Sequence, residues 1–213
     1  METKAGLLLV FVVLALSAAT TNATIVTIGL TAEITNIDRY SQWLNENFKV
    51  GDIITGRYTY NTDTPDLFPS NPRSGVYWHY DRPYGISLNA NGYTIQSNPD
   101  DVMFLVGTFD RPDGDCYLLE SWINLPISNG ILADHISWQL DDESGTALSS
   151  DILPTTAPVL GDWGYDWGLR IYFGYKGGEL LVAKVTSVEN IPEPTTLLFF
   201  VWVGTVVLVK RKR

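Results

Sequence analysis

Residues 84–97, which read YGISLNANGYTIQS, decide the fold. Two runs suited to strands, around Ile86 and Ile95, flank the pair Asn91-Gly92. Both residues of that pair tolerate a positive φ, which the preferred two-residue turn of a β-hairpin requires. This stretch therefore predicts two neighbouring antiparallel strands.

The same pattern continues along the chain in both directions. Short runs rich in Ile, Val, Thr, Tyr and Phe alternate with clusters of Gly, Pro, Asn and Asp, which is typical of strands and turns. The predicted strands are 24–33, 52–60, 75–80, 84–89, 92–97, 101–109, 116–123, 135–140, 168–174 and 179–188. Residues 39–47 predict one or two helical turns, and 141–168 form the longest irregular segment. Ten short strands at this spacing predict an all-β fold, a β-sandwich of jelly-roll type.

The charge balance excludes one class of partner. The chain has 213 residues with 14 Lys and Arg against 24 Asp and Glu, a formal net charge of −10. Its hydrophobic content of 45% is that of a globular protein rather than a disordered one. An acidic surface cannot neutralise phosphates, so we expect no nucleic acid partner.

The N-terminal segment, residues 1–23, has the three parts of a secretory signal peptide. A basic residue, Lys4, precedes an apolar run of about 15 residues, and small residues follow at a cleavage spacing. The run is short for a membrane-spanning helix, which needs about 20 apolar residues. We therefore expect export and cleavage by signal peptidase, with an uncleaved N-terminal anchor as the alternative.

The C-terminal segment, residues 191–213, reads IPEPTTLLFFVWVGTVVLVKRKR. Pro192 and Pro194 cannot continue a helix or a central strand, so they separate this segment from the domain at 24–190. Residues 195–209 predict a short transmembrane helix, and four basic residues follow it. The positive-inside rule assigns that basic end to the cytoplasm and the preceding domain to the outside. A simple C-terminal tail anchor is the alternative.

This order of a Pro-Glu-Pro motif, an apolar helix and a basic end resembles the PEP-CTERM sorting signal of exported bacterial proteins. The same segment is also labelled the C-terminal domain of ice-binding proteins. The resemblance implies Pro192, Glu193 and Pro194 as the sorting motif that exosortase, a membrane peptidase-transpeptidase, recognises. It also implies passage through the inner membrane as a single-pass intermediate, delivery to the cell surface or beyond, and an association with extracellular polysaccharide.

The predicted domain contains one local feature that suggests binding. Residues 161–168 read GDWGYDWG and place Trp163 and Trp167 beside Asp162 and Asp166. An aromatic ring can cover the C–H groups of a sugar while carboxylates accept its hydroxyls, so these four residues are candidates for glycan binding. The alternative is that both indoles fill the core or cover a loop, as large aromatic side chains often do.

Catalytic and metal signals are weak. His79, His135 and Cys116 are isolated in sequence, whereas a zinc site needs three or four ligands. Residues 110–115 lack the alternating oxygen ligands and the final Glu of a calcium loop, and no Gly-x-Ser-x-Gly elbow occurs. A glycosidase would need two carboxylates at a separation that a sequence does not reveal. We therefore predict no catalytic residue, no metal and no cofactor.

Together these observations predict an exported cell-surface or extracellular-matrix protein with a non-catalytic structural or adhesive role. Without the two ends, the domain retains 22 acidic and 9 basic residues, a net charge near −13. The alternative is a secreted carbohydrate-binding module, and a less favoured one is a hydrolase of sandwich fold.

Overall fold

The computed structural model describes residues 25–127, 130–174 and 178–192. The predicted signal peptide at 1–23, together with Glu193, Pro194 and the predicted transmembrane helix, lies outside the described residues. Within the described ranges, no helix combines the length and the apolar composition needed to cross a membrane.

The described residues form ten strands, one short α-helix and one 3-10 turn, Leu160–Asp162. The strands are β1 (Ile25–Ile37), β2 (Ile53–Asn61), β3 (Gly75–His79), β4 (Gly85–Ala90), β5 (Tyr93–Gln96), β6 (Phe104–Phe109), β7 (Asp115–Ser121), β8 (Ala133–Asp142), β9 (Tyr165–Phe173) and β10 (Glu179–Asn190). The helix α1 (Gln42–Asn47) lies within the segment predicted to be helical. Its N-cap is Ser41, whose hydroxyl accepts a hydrogen bond from the backbone N–H of Leu44 at 3.1 Å.

All ten strands belong to one antiparallel sheet, in the order β3-β6-β7-β8-β9-β10-β1-β2-β4-β5. The sheet curls into a half-barrel. The all-β prediction is confirmed, and each predicted strand overlaps an observed one. The sandwich prediction implied two separate sheets, whereas here the strands form one hydrogen-bonded sheet. The long strands β1 and β10 join its two halves, and two register shifts between them favour bending.

The inner face of the curled sheet carries the core. Strand β7 shows the alternation directly, because Tyr117 and Leu119 are buried while Cys116 and Leu118 are only partly buried. Across the interior, the hydroxyls of Tyr58 on β2 and Tyr117 on β7 lie 3.1 Å apart. These two strands belong to opposite halves of the sheet, so the core holds the halves against each other.

The edge strand β5 also contacts the other half of the sheet, next to β7. The backbone N–H of Leu125, which follows β7, donates to the carbonyl of Gln96 on β5 at 2.9 Å. Beside it, the hydroxyls of Ser97 and Ser121 lie 2.7 Å apart in a buried position. These contacts keep the curl closed at one end of the sheet.

The chain enters and leaves the described domain on neighbouring strands. Ile28 of β1 pairs with Asn190 of β10, and the N–H of Ile191 donates to the carbonyl of Thr27 at 2.8 Å. Pro192, the first residue of the predicted sorting motif, follows directly and is exposed. The segments before β1 and after β10 therefore both attach at the same end of the sheet.

Candidate functional site

A groove of about 460 Å³ lies on the outer face of the sheet, where β7, β8 and β9 run side by side. Its lining includes Arg111, Asp113, Cys116, Asp141, Tyr165 and Trp167. We call this feature the Trp167 groove. Its volume falls within the range of pockets that hold small ligands.

Strand register determines which side chains meet in this groove. Cys116 pairs with Asp141, and Asp141 pairs with Tyr165, so the three residues form one row across three strands. The inward positions next to them are occupied by buried residues such as Tyr117 and Leu140. Since successive side chains in a strand alternate between faces, the row lies on the outer face.

A bulge in β9 adds the indole to this row. Trp138 pairs with Leu169 but Leu140 pairs with Asp166, so Trp167 and Gly168 together oppose Gln139 and β9 carries one extra residue. Gly168 has a φ of +80°, and a Cβ there would lie 2.9 Å from the carbonyl oxygen of Ala183. Only glycine fits this backbone without strain.

As a result, Tyr165 and Trp167 both extend into solvent beside Asp141. Their side chains remain 55% and 51% exposed, so each ring has surface available to a ligand. The bulge shifts the alternation of β9 by one residue, so Tyr165 and Trp167 face outward whereas Leu169 and Ile171 face the core.

Asp141 is held in place by its neighbours. The indole Nε1–H of Trp167 donates to Oδ2 of Asp141, and Nε2 of Gln139 donates to both carboxylate oxygens at 2.9 Å each. These contacts fix the position of the carboxylate and of the exposed indole relative to each other. Hydrogen bonds within the protein therefore fix this arrangement.

Cys116 lies next to Asp141 but is not a reactive thiol. Burial, with a smaller contribution from the neighbouring Asp141, raises the pKa of its thiol to about 12, although Arg111 lowers it slightly. A thiol of that pKa stays protonated near neutral pH and is a poor nucleophile. This agrees with the acidic sequence around Cys116.

The four predicted glycan-binding residues are not brought together into one surface. Trp167 lines the groove, whereas Trp163 is partly buried and packs against the core, its ring 6.4 Å from that of Tyr117. Asp162 is exposed on the short 3-10 turn Leu160–Asp162. Trp163 therefore follows the alternative interpretation, in which a large aromatic side chain covers the core.

Asp166, the fourth predicted residue, supports the fold locally. Its Oδ1 accepts a hydrogen bond from Nε1 of the buried Trp138 at 3.0 Å and another from the N–H of Gly168 at 2.8 Å. The carboxylate next to the exposed indole is Asp141 instead, the first residue of the segment 141–168 that the sequence predicts to be irregular. The alternation of β8, which puts Gln139 and Asp141 on one face, is the signal that would have identified it.

Two carboxylates that line the end of the groove occupy buried positions at the same end of β7 and β8, and they organise a loop. Asp142 accepts hydrogen bonds from the N–H groups of Ser144 at 3.0 Å and Thr146 at 2.8 Å, and these bonds lower its pKa to about 2. Oδ2 of Asp115, its partner across the strands, accepts from the N–H of Leu148 at 2.8 Å. Both residues therefore anchor the segment after β8.

The histidines and the remaining acids do not assemble into a metal centre in the part of the chain that the structure describes. His79 is buried, and its Nε2 accepts a hydrogen bond from the N–H of Asn61 at 3.1 Å. Burial lowers the pKa of this imidazole. His135 lies on a different strand, β8, and on the opposite face of the sheet.

No protein-family model, curated protein or solved structure matches this chain.

Proposed function

We propose that this chain is an exported cell-surface or extracellular-matrix protein that adheres to polysaccharide without catalysis, through the Trp167 groove. The supporting observation is the arrangement of two exposed aromatic rings, Tyr165 and Trp167, around the fixed carboxylate of Asp141. Aromatic faces cover the C–H groups of a sugar ring, and a positioned carboxylate accepts its hydroxyls. The groove offers both on a rigid sheet.

The geometry favours binding over hydrolysis. A glycosidase needs a carboxylic acid whose pKa is raised so that it can protonate the leaving group. Asp142, which lines this groove, has its pKa lowered to about 2 by backbone hydrogen bonds. Asp141 is engaged by Trp167 and Gln139, which fix it as a hydrogen-bond acceptor.

Delivery to the surface rests on the two terminal segments of the sequence. In this proposal signal peptidase removes residues 1–23, and exosortase processes the tail at Pro192, Glu193 and Pro194. The tail helix holds the protein in the inner membrane until then. The attachment of both segments at one end of the sheet supports this topology, because it leaves the other end free to extend away from the membrane.

Binding is tested by affinity electrophoresis through gels that contain a panel of neutral, anionic and amino-sugar polysaccharides. Retardation in at least one gel is expected, and Trp167→Ala should abolish most of it. Tyr40→Ala is the matched control, because Tyr40 is 80% exposed but lies between β1 and α1, outside the groove. Equal retardation of Trp167→Ala and the unaltered protein would reject the groove as the binding site.

Delivery is tested by the intact mass of the native protein from membrane and extracellular fractions. We expect an extracellular form that ends between residues 192 and 196, and deletion of residues 192–213 should release the protein from the membrane fraction. A mature protein that retains its four basic C-terminal residues would contradict processing by exosortase.

A further inference from the structure

A second aromatic cluster lies on the same outer face as the Trp167 groove, at the other end of the three strands. Trp122, directly after β7, stacks on His135 of β8 with ring centroids 3.9 Å apart and an angle of 15° between the planes. His135 in turn stacks on Tyr172 of β9 at 5.4 Å and 16°. We call these three residues the Trp122 stack.

The two clusters repeat one chemical arrangement. In the groove, the indole N–H of Trp167 donates to the carboxylate of Asp141. In the stack, the indole N–H of Trp122 donates to Oε2 of Glu120 at 3.3 Å. Trp122 remains 44% exposed and Trp167 51% exposed, so both indoles are fixed by a carboxylate and still open to solvent.

Strand β8 connects the clusters. His135, Ser137, Gln139 and Asp141 occupy its outward positions, with His135 in the stack and Asp141 in the groove. Six residues of β-strand span about 20 Å, which is longer than a disaccharide but shorter than a chain of six sugars. Between the clusters, Arg170 of β9 pairs with Ser137, so polar side chains fill the interval.

We propose that the Trp167 groove and the Trp122 stack together form one face that binds a linear polysaccharide of amino sugars along β8. This inference rests on the proposed function, which it deepens by naming the length and the class of the ligand. Sugar rings lie against the two indoles, and hydroxyls between them contact Ser137 and Gln139. The ammonium groups of the ligand pair with Asp141 and Glu120.

The charge of this face selects the amino-sugar class. Its carboxylates are those of Asp113, Glu120, Asp141 and Glu143, and its basic groups are Arg111, Arg170 and His135, whose Nε2 lies 3.6 Å from Oε1 of Glu120. The guanidinium group of Arg170 already contacts Trp167. Its Nε donates to the carbonyl of Trp167 at 3.3 Å, and its Cζ lies 5.4 Å from the centre of the indole ring. An anionic polysaccharide would meet net negative charge, whereas an ammonium group gains from both the carboxylates and the indole faces.

Two clusters on one face also predict a dependence on ligand length. A chain long enough to touch both clusters makes its second contact intramolecularly, so its affinity exceeds that of a short chain. We expect a deacetylated hexamer of glucosamine to bind at least about tenfold more tightly than the dimer, measured by isothermal titration calorimetry on the full chain.

Variants separate the two clusters. Trp122→Ala should weaken the hexamer about tenfold and leave the dimer unchanged, because a dimer that occupies the groove never reaches the stack. Trp167→Ala should weaken both ligands, and Tyr40→Ala should weaken neither. If Trp122→Ala leaves hexamer affinity unchanged while Trp167→Ala reduces it, the extended face is rejected and the groove survives. If neither variant changes any affinity, the proposed function fails as well.

A conservative variant, Glu120→Gln, tests the negative charge of Glu120 without disrupting the fold. Glu120→Gln retains an oxygen that can accept from the indole of Trp122, so the stack should persist while one negative charge is lost. We expect it to weaken the glucosamine hexamer several-fold and to leave binding of the fully acetylated hexamer unchanged. Equal affinity of the unaltered protein for the two hexamers would overturn the amino-sugar assignment.

Discussion

Two indoles on neighbouring strands, Trp138 of β8 and Trp167 of β9, make the same interaction in opposite environments. Trp138 donates its N–H to Asp166 at 3.0 Å and is 1% exposed. Trp167 donates its N–H to Asp141 and is 51% exposed. This hydrogen bond is common to both residues, so it does not explain why one indole is buried and the other is exposed. The difference comes from the face of the sheet on which each indole lies.

The surroundings of the two rings differ accordingly. The ring of Trp138 lies 6.4 Å from Tyr58 on β2 and 6.0 Å from Tyr117 on β7, so it contacts both halves of the curled sheet. The ring of Trp167 has the guanidinium of Arg170 at 5.4 Å and lies outside the core. One indole stabilises the fold, and the other is the residue to which we assign ligand binding.

The largest expected effect is that of Trp138→Ala. It removes the largest fully buried side chain and leaves a cavity between the two halves, so the free energy of unfolding should fall by about 3–5 kcal/mol. Urea denaturation followed by circular dichroism measures this loss. A loss below about 1 kcal/mol would mean that Trp138 does not hold the halves together.

Gly168→Ala should have the next largest effect, because the bulge that separates the two indoles depends on it. A φ of +80° costs a residue with a Cβ about 1–3 kcal/mol, and that Cβ would approach the carbonyl oxygen of Ala183 at 2.9 Å. The free energy of unfolding should fall by that amount, and binding of a ligand to Trp167 should weaken as the bulge shifts. Gly161→Ala is the matched control, since nothing lies within 4 Å of a Cβ there and no positive φ is required.

A smaller effect is expected from Tyr58→Phe, which tests the inner face through its pH response. The substitution leaves the buried hydroxyl of Tyr117 without this partner, at a cost of about 1–2 kcal/mol. Burial raises the pKa of both Tyr58 and Tyr117 well above 10, so the folded state retains protons that the unfolded state loses. Stability is therefore complete below about pH 10 and falls as the pH rises above it.

Urea denaturation at several values between pH 8 and pH 11 checks this dependence. The unaltered protein should lose stability with rising pH above about pH 10, and Tyr58→Phe should show a shallower decline because one ionisable group is gone. A decline of equal steepness in the two proteins would show that Tyr58 does not contribute to it.

The sequence predicts the strands of this fold better than their pairing. Turn residues such as Asn91-Gly92 act locally, which is why the hairpin of β4 and β5 could be identified and is observed. The pairing of β1 with β10 joins residues more than 140 positions apart, and no local pattern encodes it. A sandwich and a single curled sheet therefore have the same strand pattern.

The sequence predicts the candidate site only in part, because the site also depends on how the strands pair. The GDWGYDWG segment identifies the aromatic residues, but the bulge at Gly168 decides that Trp167 faces solvent, and Trp163 precedes β9 and lies against Tyr117. The bulge arises from pairing with β8, so it is not visible in β9 alone. The carboxylate beside the exposed indole likewise comes from β8, as Asp141 rather than Asp162 or Asp166.

The smallest expected effect on stability is that of Trp167→Ala, and it completes the contrast with Trp138. Half of this side chain is already exposed, so its removal should change the free energy of unfolding by less than about 0.5 kcal/mol while polysaccharide binding is lost. Urea denaturation and affinity electrophoresis on the same preparation measure both quantities. A protein that binds through this surface can lose the binding residue without losing its fold, whereas a purely structural Trp167 would reduce stability and leave retardation unchanged.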